Sequence, residues 1–406
     1  MRHIFTAASI LILSLSACSQ PREQRDLSEV YDRVYTIAKL KLPSMDILLD
    51  ERTFPRTLAE DGSLVTSDVK WWCSGFYPGC LWLLYEQTSD PNILSLAHKN
   101  TQKLLPLLRT NTDHDIGFQL MCSFGQGWRL TQDREYLAPL IVGAKKLSSR
   151  FNEKTLTIRS WDFGQWEYPV IIDNMMNLEL LTFAARANGG PVGDSLRNVA
   201  ITHAQTTMKN HFREDFSSYH LVDYSTEDGH VLGKQTVQGY GDTSSWARGQ
   251  AWALYGYTMM GRECAFWDDT AMKGKDFLRQ AENIARMLLD RLPEDGIPYW
   301  DFDAPVVDGK EPLRDASAGA VMASAFAELS TLTTDKDLRE RCLDMAALEV
   351  TTLAGEEYLP APGQNGCFLL RHSVGNIPGG TEIDVPLTYA DYYFLEALSR
   401  LRKILK

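Results

Sequence analysis

The stretch Met175-Met176-Asn177-Leu178-Glu179-Leu180-Leu181-Thr182-Phe183-Ala184-Ala185-Arg186-Ala187 is apolar or small almost all the way round a helix, and Ala316 to Leu329 has the same character. A helix with no continuous polar face must be covered on every side. Leu196 to Phe212 and Asp276 to Leu292 differ, each having one apolar stripe and one charged face. That pattern puts one side of the helix in water. Helical periodicity predicts twelve segments, over residues 29–41, 72–87, 92–108, 116–131, 135–151, 173–187, 195–213, 245–260, 274–292, 317–332, 336–352 and 387–404. Covered and half-covered segments alternate along the chain. The expectation is an all-α fold, an (α/α)₆ barrel of six helical hairpins whose inner helices surround a central cleft. An open stack of hairpins is the alternative, since no repeat of fixed length is visible.

Working outward from that core, Arg2 and His3 lead into an apolar run from Ile4 to Leu15, and Leu15-Ser16-Ala17-Cys18 follows. This is the pattern of a bacterial lipoprotein signal cut before a lipidated cysteine. Residues 1–17 are therefore expected to be a signal peptide, 18–28 a tether held by lipid at Cys18, and 29–406 a single catalytic domain. On that reading the protein belongs to the cell envelope, periplasmic or surface-exposed, and meets the membrane only through its anchor; an uncleaved N-terminal anchor is the other reading. The formal charge of −12 and the lack of a long basic run argue against a nucleic-acid partner. Net acidity does not exclude an anionic substrate, because well-placed arginines can sit inside an acidic shell. Cys73, Cys80, Cys122, Cys264, Cys342 and Cys367 show no metal spacing and are expected to be buried thiols, with a Cys73–Cys80 bridge left open.

Residues with chemical potential gather at the starts of the proposed inner helices, where unpaired N–H groups favour anions. Trp71-Trp72-Cys73-Ser74-Gly75 is either core packing or a sugar-stacking surface. In His114-Asp115-Ile116-Gly117-Phe118 the aspartate could simply cap a helix. Trp161-Asp162 is followed by Ile171-Ile172-Asp173-Asn174-Met175, where apolar flanks would raise a carboxyl's pKa and capping would lower it. His220, Gln238 and Ser245-Trp246-Ala247-Arg248 with Trp252 form a fourth group. Arg248 and Trp252 share a helix face, so the guanidinium either takes a sugar carboxylate or satisfies an internal acid. Asp391 reads as a structural hydrogen-bond partner. His203, His211 and His220 match no compact metal pattern.

Taken in order from about Trp71 to Tyr393, these segments resemble the unsaturated glucuronyl hydrolases, glycoside hydrolase family 88. The resemblance implies an (α/α)₆ barrel with no metal or organic cofactor. Its substrates would be lyase-generated oligosaccharides ending in a 4,5-unsaturated uronic acid, removed by hydration of the C4=C5 bond. Asp173 would be the general acid and base and Asp115 the second essential carboxylate, its charge keeping Asp173 protonated. Trp72, His114, Phe118, Trp161, His220, Gln238, Trp246, Arg248 and Trp252 would shape the sugar subsite, and residues 379–384 would lie where substrate preference varies. An unsaturated rhamnogalacturonyl hydrolase and a non-catalytic glycan-binding lipoprotein are the alternatives. Linkage, sulfation and oligomeric state are not legible.

Overall fold

The computed structural model describes residues 25–110 and 112–406. The expected signal segment and Cys18 lie outside the described residues. Each predicted segment has a helical counterpart: α1 (Ser28–Ile47), α2 (Phe76–Thr88), α3 (Pro91–Gln102), α4 (Ile116–Leu120), α5 (Gln126–Thr131), α6 (Leu137–Ser148), α7 (Asn174–Asn188), α8 (Gly190–Asn210), α9 (Ala247–Cys264), α10 (Ala271–Arg291), α11 (Ala316–Leu332), α12 (Lys336–Leu353) and α13 (Thr388–Ile404). A π turn at Met121–Gly125 joins α4 and α5 into one element. The segment expected over 92–108 breaks after Gln102, because Pro106 disfavours helix at the residue before it, and a 3₁₀ turn over Leu105–Arg109 follows. Of the stretch 18–28, residues 25–28 are described: Leu27 is buried, and Arg25 reaches Asp344 on α12.

The helices form two concentric rings. α2, α4–α5, α7, α9, α11 and α13 pack successively on one another, and α13 returns to α2, closing the inner ring; α3, α6, α8, α10 and α12 lie outside. α1 completes the outer ring, with Arg402 of α13 over the Tyr31 ring at 5.4 Å. This is an (α/α)₆ barrel. Its core shows why the sequence alternates: every residue of α11 from Ala316 to Ala327 is buried, whereas the outer α10 buries only the stripe that includes Phe277, Ala281, Ile284 and Leu288.

The two ends of the barrel are unlike. Inner helices pass to outer ones through short links, such as Ser89–Asp90 and the single Gly189 between α7 and α8. The return connections are long, and they hold all nine strands among the described residues: β1 (Phe54–Leu58), β2 (Leu64–Ser67), β3 (Phe151–Asn152), β4 (Thr157–Ile158), β5 (Pro169–Ile171), β6 (Leu221–Tyr224), β7 (Val231–Gln235), β8 (Ser373–Asn376) and β9 (Thr381–Val385). All pairings are antiparallel, and β5-β6-β7 make the one three-stranded sheet among them. The long connections thus form a cap over the N-terminal ends of the inner helices. The six described cysteines are free, so the Cys73–Cys80 bridge is not formed.

One outer-helix residue is buried at a cost. Glu349 of α12 is fully buried with neither carboxyl oxygen partnered, and burial raises its pKa well above the usual range. A carboxyl whose folded pKa lies above its unfolded one stabilises least at high pH, and stability falls as pH rises from the unfolded value towards the folded one. Glu349→Met is expected to stabilise the protein by about 1–3 kcal/mol at neutral pH, the cost of an unsatisfied buried polar group. Its advantage over the wild type should shrink when urea unfolding is repeated near pH 4.5; an advantage independent of pH would refute this account.

Candidate active site

Asp115 and Asp173 occupy the N-cap positions of α4 and α7, yet neither side chain caps its helix. The contrast with Asp90, Asp315 and Asp335 is direct, since each of those accepts a backbone N–H at the start of its own helix. The capping reading of Asp115 therefore fails. Both carboxyls turn instead into the cleft beneath the cap, and Asp173 Oδ2 is buried without a partner.

Local pairing sets their positions. β5 and β6 pair with Ile171 opposite Leu221, and one step further Ile172 N–H donates to the His220 carbonyl, 2.9 Å. Asp173 and His220 are thereby placed side by side at the end of the paired strands, with His220 Nε2 3.8 Å from Asp173 Oδ2. His220 Nδ1 accepts the Val237 N–H at 3.0 Å, so the neutral ring carries its proton on Nε2, facing Asp173. Burial, helped by the Arg248 charge, pushes the His220 pKa down to about 3. His220 also lies against Trp246, 4.6 Å between ring centres.

His114 has the opposite tautomer. Its Nδ1 lies 2.8 Å from the Ser160 carbonyl, which can only accept, so the proton is on Nδ1 and the Nε2 lone pair faces Asp115 Oδ1 at 3.3 Å. Ser160 is a shared fixture, because its hydroxyl accepts the Ile171 N–H and donates to Asn174 Oδ1. Asn177 ties the two catalytic helices: its Oδ1 accepts the Phe118 N–H at 2.7 Å, and its amide donates to Asp115 and to the Asp173 carbonyl. Gly117 makes this approach possible, since a Cβ there would stand 2.5 Å from Asn177 Oδ1. Asp113, His114 and Asp115 could each turn one ligand atom to within 4.8 Å of the others. One Asp113 oxygen already accepts the Asp115 N–H at 3.0 Å, so the geometry is that of an Asx turn presenting His114 and Asp115.

Burial raises Asp173 to about 7, against the opposing pull of Arg248 and the Trp252 N–H. Burial also raises Asp115, and the charges of Asp113 and Asp173 push it well above the carboxylate range. His114, lowered by burial to about 4, is neutral near pH 7 and offers Asp115 an acceptor. A protonated Asp115 would present its proton to the His114 lone pair. Burial is the leading cause of the rise at Asp173, and the expected help from a charged Asp115 is what the pH profile of Asp115→Asn reads.

The expected role of Arg248 is corrected. It is fully buried, and its fork donates to the carbonyls of Val374 and Gly375 and to Asp315 at 3.3 Å. The internal-acid reading holds, and the fork is not free for a substrate carboxylate. Its charge lies over Trp246 at 4.5 Å and Tyr389 at 5.4 Å and reaches Asp173. Gln238 pins the same strand, its amide donating to the Gly375 carbonyl at 3.1 Å.

The remaining expected residues line the walls. Trp72 packs on Phe118 and Tyr389, and Phe118 on Trp252 at 5.1 Å. Trp161 stands 6.4 Å from His114, with Phe163 stacked on its other side. Asp391 is structural as expected, accepting the N–H groups of Leu369 and Leu370. Asn177 and Tyr389 were not singled out from sequence, although Asn177 follows Asp173 by one helical turn.

Buried polar atoms are nearly always paired. Here Asp173 Oδ2, His220 Nε2, the Trp161 indole nitrogen and the Tyr389 hydroxyl are buried without a hydrogen-bond partner around one cleft. Such a concentration marks a site built for a polar ligand.

No family model matches the chain. An unsaturated glucuronyl hydrolase of Formosa agariphila is 42% identical over 358 residues, 87% of this chain and 85% of that protein. An unsaturated chondroitin disaccharide hydrolase of Streptococcus pyogenes serotype M1 is 30% identical, covering 94% of this chain and 92% of its own length. The chain belongs to the unsaturated glucuronyl hydrolases. A crystal structure of an unsaturated glucuronyl hydrolase specific for heparin superposes with a TM-score of 0.85 at 43% identity, over 92% of this chain and 98% of that one. An aspartate-to-asparagine mutant of the Streptococcus agalactiae enzyme, complexed with dGlcA-GalNAc6S, matches with a TM-score of 0.75 at 30% identity over 92% and 91%. This chain is thus a glycoside hydrolase, and the reading as a non-catalytic binder is set aside.

The tautomers and carboxyl states carry a prediction. The alkaline limb of kcat/KM should fall near pH 7, where Asp173 loses its proton. Asp115→Asn keeps a donor towards His114 and should slow the enzyme while leaving that limb in place. A limb displaced downward by more than about one pH unit would show that Asp115 is charged when Asp173 titrates.

Proposed function

We propose that this hydrolase removes a 4,5-unsaturated uronic acid from the non-reducing end of lyase-generated oligosaccharides by hydrating the C4=C5 bond. The observation that carries the reading is the desolvated carboxyl of Asp173, raised to about 7 and unpartnered at Oδ2 in a cleft walled by aromatic rings. The substrate is an enol ether conjugated with a carboxylate. Asp173 gives its proton to C4, the π electrons form the new C4–H bond, and cationic character develops at C5 and the ring oxygen. Asp173, now ionised, accepts a proton from water as the water oxygen bonds to C5. The hemiketal then opens and expels the remaining sugar. One carboxyl serves as acid and base in turn, unlike the paired carboxyls of displacement at an anomeric carbon.

The neighbours support each stage. His220 directs its N–H at Asp173 and favours the carboxylate left after protonation. Asp115, held by Asn177 and facing His114, places a second carboxyl where positive charge develops. Arg248, with its fork engaged, contributes charge to the site and braces the strand over it. The names of the relatives favour glucuronyl over rhamnogalacturonyl substrates. We also read the chain as exported and lipid-anchored at Cys18, a reading supported by the apolar run and the Leu15-Ser16-Ala17-Cys18 sequence.

Turnover is followed by loss of ultraviolet absorbance of the conjugated double bond across a panel of unsaturated glycosaminoglycan and pectin disaccharides. Asp173→Asn should lower kcat by at least about 10²–10⁴-fold, the contribution of a general acid–base group, while the substrate still binds. The bond to the leaving sugar is untouched in the catalysed step, so a sulfur-linked unsaturated uronide should turn over at a rate close to its oxygen-linked twin. Resistance of the sulfur-linked compound would return ordinary glycosidic displacement to first place.

A further inference from the structure

The two ends of the barrel bear on how the anchored enzyme stands on its membrane, an inference that rests on the anchoring reading above. Inner helices start at the catalytic cap and finish at the end with the short links. Outer helices run the other way, so α1 begins at the end remote from the cleft. Ser28 at its start borders the same surface hollow as Arg402, Leu405 and Lys406, which close the C-terminal end of α13. Arg25, three residues earlier, borders the same hollow and reaches along α12 to pair with Glu340 and Asp344. The catalytic cap begins at the other end of α13, whose 17 residues span about 25 Å.

From Cys18 to Arg25 the chain has seven peptide steps, which reach at most about 25 Å when fully extended. A barrel standing mouth-down would need that tether to climb the full helix length and then the cap of hairpins above it. Seven steps are too few. The remote end also carries side chains suited to a lipid surface: Phe266 in the α9–α10 connection is 61% exposed and Met272 at the start of α10 is 68% exposed, with Lys273, Lys275 and Asp276 exposed beside them. Apolar side chains flanked by lysines fit the boundary between headgroups and acyl chains. Asp268 and Asp269 share this connection, and Asp269 is engaged by Arg197.

We infer that the anchored enzyme stands on the bilayer on its short-link end, with Phe266 and Met272 at the lipid surface and the catalytic cleft opening away from the membrane. Substrate then enters from the aqueous side, and no lipid surface crosses the path of an oligosaccharide.

The test uses the full-length precursor, processed and lipidated in a bacterial host, then reconstituted in vesicles of phosphatidylethanolamine and phosphatidylglycerol with a headgroup-labelled acceptor lipid. A donor dye is placed by Met272→Cys at the short-link end or by Val307→Cys in the cap, each in a Cys367→Ser background and each checked for full activity. Energy transfer to the lipid is expected to be several-fold stronger from position 272 than from position 307. Equal or reversed transfer from protein that stays on the vesicles overturns the orientation while leaving the anchor intact. Failure of the wild type to remain with vesicles, in the same way as Cys18→Ala, overturns the anchoring reading and the orientation together.

Discussion

Two carboxyl groups buried at helix N-termini without capping them are the constraint on which the cleft depends. A carboxylate at an N-cap ordinarily accepts backbone N–H groups and has a lowered pKa. Asp115 and Asp173 forgo those bonds, and the burial that results raises both. The arrangement is costly and persists only because the surroundings over-determine it. Ser160 holds His114 and β5, Asn177 spans the starts of α4 and α7, and the β5–β6 pairing fixes Asp173 beside His220. Apart from the Ser160–Ile171 bond, these join segments distant in sequence, so the geometry of the cleft is a property of the closed barrel.

The two histidines show how backbone contacts assign chemistry. Both are buried and neutral near pH 7, yet one faces its aspartate with a lone pair and the other with a proton. The difference comes from what each Nδ1 meets: a carbonyl oxygen at His114, a backbone N–H at His220. His114 accordingly suits a protonated Asp115, and His220 suits an ionised Asp173. The pair of carboxyls is thereby biased towards distinct roles by hydrogen bonds one step removed from either.

How far this was legible in the sequence follows the same division between local and long-range causes. The helices were read because apolar periodicity is local, and the alternation of covered and half-covered segments gave the barrel. The strands were not, because each has two to five residues and is held by pairing across a connection. The flanks of Asp173, Ile171, Ile172 and Met175, left desolvation and capping both open, and its role was implied only by the family resemblance. Asp115 looked like a cap, and only its orientation shows that it is not. Arg248 and Trp252 do share a helix face, but the acid and carbonyls that occupy the Arg248 fork come from Asp315 and the Val374–Gly375 strand, more than sixty residues away. No spacing rule reports such a partner. Asn177 was within reach, one turn after Asp173, but an asparagine in an inner helix has many structural uses.

The barrel also separates charge along its axis. Six inner helices point their positive N-terminal ends at the cleft, and five of them, α2, α4, α7, α9 and α11, carry no acidic residue in the first turn. The exception, Asp391 of α13, is spent on two backbone N–H groups. At the other end, α5, α7, α9 and α13 finish on Arg129, Arg186, Arg262 and Arg402 with Lys403, which complement the converging negative ends. A cavity of about 450 Å³ opens there, and Arg262 and Arg400 are held in it by Glu179, Glu263, Glu328 and Glu396. The dipoles at that end are matched within the protein; at the cleft Asp315 caps α11, while the starts of α4 and α7 receive no cap from Asp115 and Asp173 and are left for a ligand to match. An anionic sugar is the kind of ligand that completes such a field, which is why a chain of net charge −12 can still present an anion with a favourable site.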